Sequence, residues 1–243
     1  MNSHSTLPMT MQHEPTADLT NGLAKERPIA MRERPSSPVY DQLLWRLQAA
    51  YDANDQTAYA LGLLGFAPKS GSTTIAANLA LRAAEQDCGP VLLIETNWHA
   101  PQIASRWGLA PQPGAAQLLA GAADLAECAQ PGPVERLHVV PAGCISRSRQ
   151  PRVDAGATRE MMAEARVDYR LILVDLPPAE QLRQELALAR HLDQALLVVR
   201  AESARTGDAQ DIVRQLKQDG VPLAGAVLNR HRNYLPAWLR RRM

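Results

Sequence analysis

The chain of 243 residues carries 26 Lys and Arg against 25 Asp and Glu, a formal net charge of +1, so it lacks the basic surplus from which a nucleic-acid-binding face is built. Aromatic residues make up only 4% of it, too few for a platform that stacks single-stranded nucleic acid. No apolar run approaches the roughly 20 residues that span a bilayer and no apolar signal-peptide core stands near the N-terminus, which predicts a cytoplasmic protein.

In chain order, residues 1–36 are polar and proline-bearing, with no sustained apolar period, and are expected to form a flexible tail. Residues 37–243 are expected to be a single domain with a short basic C-terminal tail. From Val39 to Tyr51 the apolar positions Tyr40, Leu43, Leu44, Leu47 and Tyr51 recur at helical spacing, which predicts an amphipathic helix covering the domain. Six short apolar runs follow, at 61–66, 91–94, 137–140, 171–174, 195–199 and 224–228. Their continuous hydrophobicity predicts strands buried on both faces, and helical stretches such as 74–86 and 209–219 lie between them. Alternation of this kind predicts a doubly wound, mostly parallel α/β sheet with helices on both faces and ligands at the carboxyl ends of the strands. Cys88, Cys128 and Cys144 are far apart and share no ligand-like spacing with the six histidines, so ordinary thiols are expected in place of a zinc site or a disulfide framework.

Residues 61–80, LGLLGFAPKSGSTTIAANLA, have the layout of a phosphate-binding loop: an apolar strand, a Gly/Ser-rich turn, then Thr-Thr opening an Ala-rich helix. In such a loop backbone N–H groups and the helix N-terminus hold phosphates, a lysine reaches the β and γ phosphates, and the next hydroxyl binds Mg²⁺. Here the slots read Pro68-Lys69-Ser70-Gly71-Ser72-Thr73-Thr74. Ser72 stands in the lysine slot, and Lys69 stands in the slot of the first glycine. Ser70, Gly71, Ser72, Thr73 and Thr74 are the candidate nucleotide-binding residues. The plainer alternative is a strand-to-helix turn in which Ser72 or Thr73 caps the helix. Two further segments are expected at the same sheet edge: Val91-Leu92-Leu93-Ile94-Glu95-Thr96-Asn97, and Leu171-Ile172-Leu173-Val174-Asp175 with Leu176-Pro177-Pro178 after it. Asp175, at a strand end, would hold Mg²⁺ together with Thr73. Glu95 is a candidate catalytic base, and the alternative is that Glu95 and Asn97 cap the next segment.

From about Pro38 onward the chain resembles the bacterial tyrosine autokinases of capsular and exopolysaccharide biosynthesis, within the P-loop NTPase-like proteins that include the cell-division and partitioning ATPases. The family's loop is similar to P-G-E-G-K-S-T-T followed by A-A-N-L-A, matched here by Pro68, Gly71, Thr73, Thr74 and Ala76-Ala77-Asn78-Leu79-Ala80. Its second motif, V-L-L-I-D-A-D, resembles residues 91–97. Asp175-Leu176-Pro177-Pro178, Leu197-Val198-Val199-Arg200 and Val227-Leu228-Asn229-Arg230 extend the likeness. The resemblance implies ATP or ADP with Mg²⁺ as ligand and Asn229 and Arg230 near the adenine. As partner it implies an inner-membrane chain-length determinant of polysaccharide export, or a paralogous kinase.

Four elements depart from that pattern. Ser72 replaces the lysine, Glu95 and Asn97 replace the acidic pair, and the E-x-x-R-x-x-R assembly element is reduced to Pro38-Val39-Tyr40-Asp41-Gln42-Leu43-Leu44. The C-terminal tyrosine cluster is reduced to Tyr234. The expected function is therefore that of a catalytically impaired regulatory homologue, a pseudokinase with weak or absent nucleotide binding. Two alternatives stay open: an active tyrosine kinase using Lys69 with Glu95 and Asp175, and a membrane-associated positioning ATPase that forms homo-oligomers. For residues 233–242, with Leu235, Trp238 and Leu239 beside three arginines, a packed terminal helix is preferred over peripheral contact with the inner face of the membrane.

Overall fold

A computed structural model describes residues 38–52, 58–86, 88–143, 152–201 and 206–230; the expectations for the tail 1–36, for Cys144 and for the tail 233–242 lie outside these residues. Among the described residues, strands β1 (Tyr59–Gly65), β2 (Val91–Glu95), β3 (Gln130–Pro131), β4 (Leu137–Val140), β5 (Leu171–Leu176), β6 (Gln194–Arg200) and β7 (Leu223–Asn229) form one sheet in the order β3-β4-β2-β5-β1-β6-β7. Every neighbouring pair is parallel except β3 with β4. The helices are α1 (Pro38–Asp52), α2 (Ser72–Glu85), α3 (Ile103–Trp107), α4 (Ala115–Leu118), α5 (Leu125–Cys128), α6 (Ala155–Asp168), α7 (Leu186–Ala189) and α8 (Thr206–Gln218).

The sheet separates two apolar cores, and successive residues of one strand feed opposite cores. Tyr59, Leu61 and Leu63 of β1 join Leu93, Leu173 and Val198 in the core under α1 and α2. Ala60 and Leu64 join Ile94, Val174 and Leu197 in the core under α4 to α8. Burial on both sides explains why these strands read as continuous apolar runs. The resulting fold is α/β, P-loop NTPase-like and doubly wound.

α1 covers α2 with Leu44 and Leu47, both buried. Polar contacts fix its register: Arg82 donates to Asp41 at 2.7 and 3.3 Å, and Asn78 Nδ2 donates to the Tyr40 hydroxyl at 3.0 Å.

The structure corrects three expectations. α2 begins at Ser72, two residues before the expected start, because the loop passes directly from Gly71 into the helix. The short antiparallel strand β3 has no signal in the sequence; its two residues pair with Val139 and His138 and close the sheet edge. β7 is not buried on both faces: its residues alternate between partly buried and exposed, with Leu228 57% exposed. It is the edge strand beyond β6, so one side of its ladder and part of one face lack a neighbour among the described residues.

Candidate phosphate-binding site

The chain passes from β1 to β2 to β4, returns to β5, then proceeds to β6 and β7, so the strand order reverses around β1. The carboxyl ends of β1, β2 and β5 meet there, as expected for ligand sites in such sheets. In register, Glu95 lies opposite Asp175, and Thr96 binds the carbonyl of Asp175 through both its amide at 2.9 Å and its hydroxyl at 3.0 Å.

The loop between β1 and α2 is built from within. The Ser70 hydroxyl donates to the Ala67 carbonyl at 2.6 Å and accepts from the Ala67 amide at 3.1 Å, closing a turn over three residues. Lys69 then adopts φ 65° and Gly71 φ 93°. The left-handed conformation at Lys69 is one that glycine enters freely and lysine does not. Gly71 is the N-cap of α2, and no side chain caps the helix. The capping alternative for Ser72 and Thr73 therefore does not hold: both lie inside the helix, and the first-turn amides keep no side-chain acceptor.

These elements enclose a cavity of about 490 Å³, within the range of small-molecule sites. Lys69, Gly71, Ser72, Thr73 and Thr74 form its floor, Asn97, His99 and Gln102 one wall, and Arg200 and Arg230 the other, with Pro178 and Gln181 between. Lys69, Arg200 and Arg230 bring positive charge, and no acidic side chain is among the lining residues that the structure describes. Ser70 is buried and engaged within the turn, and Asn229 stands behind Gly71 with its amide bonded to the loop.

Asp175 sits beneath the floor, fully buried. Thr73 Oγ1 donates to Asp175 Oδ2 at 2.7 Å, while Oδ1 has no partner. Burial first, and the neighbouring Glu95 charge second, push its pKa up to about 8 against the opposing hydroxyls of Thr73 and Ser72. Glu95 does not line the cavity. Its Oε1 accepts from the amides of Gln102 at 2.6 Å and Ile103 at 3.1 Å, so it caps the short helix α3 from the end of β2. Burial raises its pKa, with those amides opposing, and its Oε2 has no partner. Asn97 is buried against the cavity wall with its Oδ1 also unpartnered. Buried acceptors without donors mark a place for a cation, water or ligand donor. Thr73 with Asp175 therefore fits Mg²⁺ in its donor chemistry.

The sequence names the floor residues and the strand-end carboxylates, and the structure brings them together. It does not name Arg200, His99, Gln102 or Gln181 as site residues. For Arg200 the available signal was a charged residue at the carboxyl end of a buried strand; His99 and Gln102 lie on an irregular segment and Gln181 ends a single 3-10 turn, Ala179–Gln181, which no local pattern reveals.

Fold and loop together define a P-loop NTPase-like protein, and comparison with known proteins narrows this further. No protein-family model matches the chain. It is similar to bacterial tyrosine-protein kinases: the tyrosine-protein kinase wzc of Salmonella typhimurium is 27% identical over 169 residues, 70% of this chain and 23% of that protein. The putative tyrosine-protein kinase EpsB of Ralstonia solanacearum is 28% identical over 167 residues, 69% of this chain and 22% of that protein. The matched segment thus spans less than a quarter of the length of these relatives. Among solved structures, the VpsO kinase domain has a TM-score of 0.63 at 29% identity, covering 79% of this chain and 99% of that one. The kinase domain of the Escherichia coli tyrosine kinase ETK has a TM-score of 0.70 at 21% identity, covering 91% and 88%. The septum site-determining protein MinD of Pyrococcus horikoshii, solved with Mg-ADP, shares the fold with a TM-score of 0.60 at 20% identity and 76% coverage of both chains.

Proposed function

We propose that the chain is a catalytically impaired, regulatory homologue of the exopolysaccharide tyrosine kinases that binds Mg-nucleotide weakly and acts through a protein partner. The observation that carries this reading is Ser72, which lines the cavity floor at the position of the loop's lysine. Removing one preorganised charge from a phosphoryl-transfer site costs on the order of 3 kcal/mol, about a hundredfold in rate. Glu95 supports the same conclusion, since its carboxylate is engaged with the amides that open α3. What persists is the anion-receiving part: the uncapped first turn of α2, the loop backbone and three cations. Mg²⁺ would be held by Thr73 and by Asp175, whose proton it would displace, and it would neutralise phosphate charge there.

The partner in this reading is a membrane-bound chain-length determinant or a paralogous active kinase, met in the cytoplasm at the inner face of the membrane. No helix among the described residues is long and apolar enough to cross a membrane. Homo-oligomer formation and membrane contact by residues 233–242 belong to the positioning-ATPase alternative and are tested by light scattering and liposome flotation with and without ATP.

A second reading has one observation in its favour: Lys69 lines the cavity, held there by a strained turn. An active kinase using Lys69 predicts Mg-dependent ATP turnover and phosphotyrosine, both abolished in Lys69→Ala. Calorimetric titration with ADP and ATP, with and without Mg²⁺, alongside a phosphotransfer assay, separates the two. The regulatory reading expects binding weaker than micromolar and no phosphotyrosine; turnover lost in Lys69→Ala would replace it with the kinase reading.

A further inference from the structure

Asn229 is the last residue of β7, and both ends of its side-chain amide are fixed. Nδ2 donates to the Ser70 carbonyl at 2.8 Å, and Oδ1 accepts from the Arg230 amide at 2.8 Å. In the sheet β6 lies between β7 and β1, so this amide reaches past one strand to touch the phosphate loop. The loop makes room for it. Gly71 has no side chain, and a Cβ built there would collide with Asn229 Nδ2. Arg230 turns the chain away at once with φ 57°, which leaves the Asn229 amide facing the loop.

The loop is therefore held from two directions. Ser70 uses its hydroxyl to close the turn onto Ala67, and its carbonyl is gripped from the sheet edge by Asn229. In a loop without its lysine, the phosphates depend on the backbone N–H groups, and these act together only if the loop keeps one shape before the ligand arrives.

We infer that Asn229 is a positioning residue: it holds the phosphate loop in its anion-receiving shape from the edge strand, and it supports nucleotide affinity through the phosphates instead of through the base. The ligand half of this inference rests on the proposed nucleotide-binding reading, whereas the strut is a property of the ligand-free chain. One Nδ2 hydrogen is already engaged with the loop, and Oδ1 is engaged with the following amide.

Two measurements on the full chain test it. The first is hydrogen exchange of the ligand-free protein, comparing wild type with Asn229→Ala and Asn229→Asp, the latter keeping the size but offering no donor to the Ser70 carbonyl. Peptides covering residues 66–75 are expected to exchange about tenfold faster in both variants, as loss of one tertiary hydrogen bond predicts, while peptides from β5 stay unchanged and show that the fold persists. Loop exchange equal to wild type in both variants overturns the strut. The second is calorimetric titration of wild type and Asn229→Ala with Mg-ADP and with tripolyphosphate, a probe that has no base. An equal loss for both probes, about fivefold, is expected from a weakened loop. A loss confined to Mg-ADP makes Asn229 a reader of the base and overturns the positioning role. If wild type binds neither probe, the nucleotide-binding reading fails, and the exchange measurement by itself decides the strut.

Discussion

The two walls of the cavity differ in kind. On the β2 and β5 side stand buried oxygens that lack donors, Asn97 Oδ1 at the wall and Asp175 Oδ1 and Glu95 Oε2 beneath it. On the β6 and β7 side stand Arg200 and Arg230, with Lys69 at the loop between. One wall is deficient in positive charge and the other supplies it, and the residue between them is Ser72. In an intact loop a lysine at that position would join the two halves. The departures from the family's loop thus sit at one side chain, Ser72, and one strand end, Glu95, within a loop whose backbone still opens α2 without a side-chain cap.

The largest expected effect lies on the acceptor wall. The Asp175 pKa is pushed up to about 8, so the folded chain holds a proton that the unfolded chain releases near pH 4. The folded state thus binds more protons than the unfolded state between these values, and stability falls as pH rises through that window. Between pH 5 and pH 8 the wild-type protein is expected to lose about 3 kcal/mol, read from urea unfolding at a series of pH values. Asp175→Asn should flatten most of that slope; the remainder belongs to Glu95, whose pKa is raised by the same cause. A slope of equal size in the variant would show that Asp175 does not stay protonated.

The next effect joins the walls. Ser72→Lys places a cation on the cavity floor beside the buried carboxylate, and a charge-assisted bond to phosphate contributes about 2 kcal/mol. Mg-ADP should bind about thirtyfold more tightly in titration. The same lysine should lower the Asp175 pKa, so the pH slope of stability should shrink with it. Tighter binding without a smaller slope would mean that the new side chain reaches the ligand without approaching Asp175.

Much of the frame was legible in the sequence because its strands are buried on both faces and therefore read as unbroken apolar runs between turn residues. The loop was legible for a different reason: Gly71 and the Thr73-Thr74 pair at that spacing meet a backbone demand that few other arrangements satisfy. β7 was misjudged because a run of small apolar residues such as Ala224-Gly225-Ala226 looks the same at an edge as in the centre, and only the sheet order decides. The role of Glu95 was ambiguous for a similar reason. A carboxylate at a strand end serves either a ligand or the next helix, and the choice depends on where residues 96–103 carry the amides of Gln102 and Ile103. Asn229 to Ser70 is a contact across 159 positions; no local pattern carries it.

The smallest effect separates strain from charge at Lys69. With φ 65°, lysine occupies a conformation that costs an L-residue about 1 kcal/mol, and glycine would remove that penalty while adding unfolded-state entropy of similar size. Lys69→Gly should therefore change stability by less than about 0.5 kcal/mol in urea unfolding, although it removes a cation from the cavity. Anion binding should fall severalfold at low salt, and the difference from wild type should shrink as ionic strength rises, because Lys69 is exposed and its field is screened. Lys69→Ala, which loses the same charge but keeps a Cβ in the left-handed region, should bind anions as poorly and match Lys69→Gly in stability to within about 0.5 kcal/mol. If instead Lys69→Gly bound as well as wild type, the positive wall would consist of Arg200 and Arg230 without Lys69, and the kinase reading would lose the one residue that supports it.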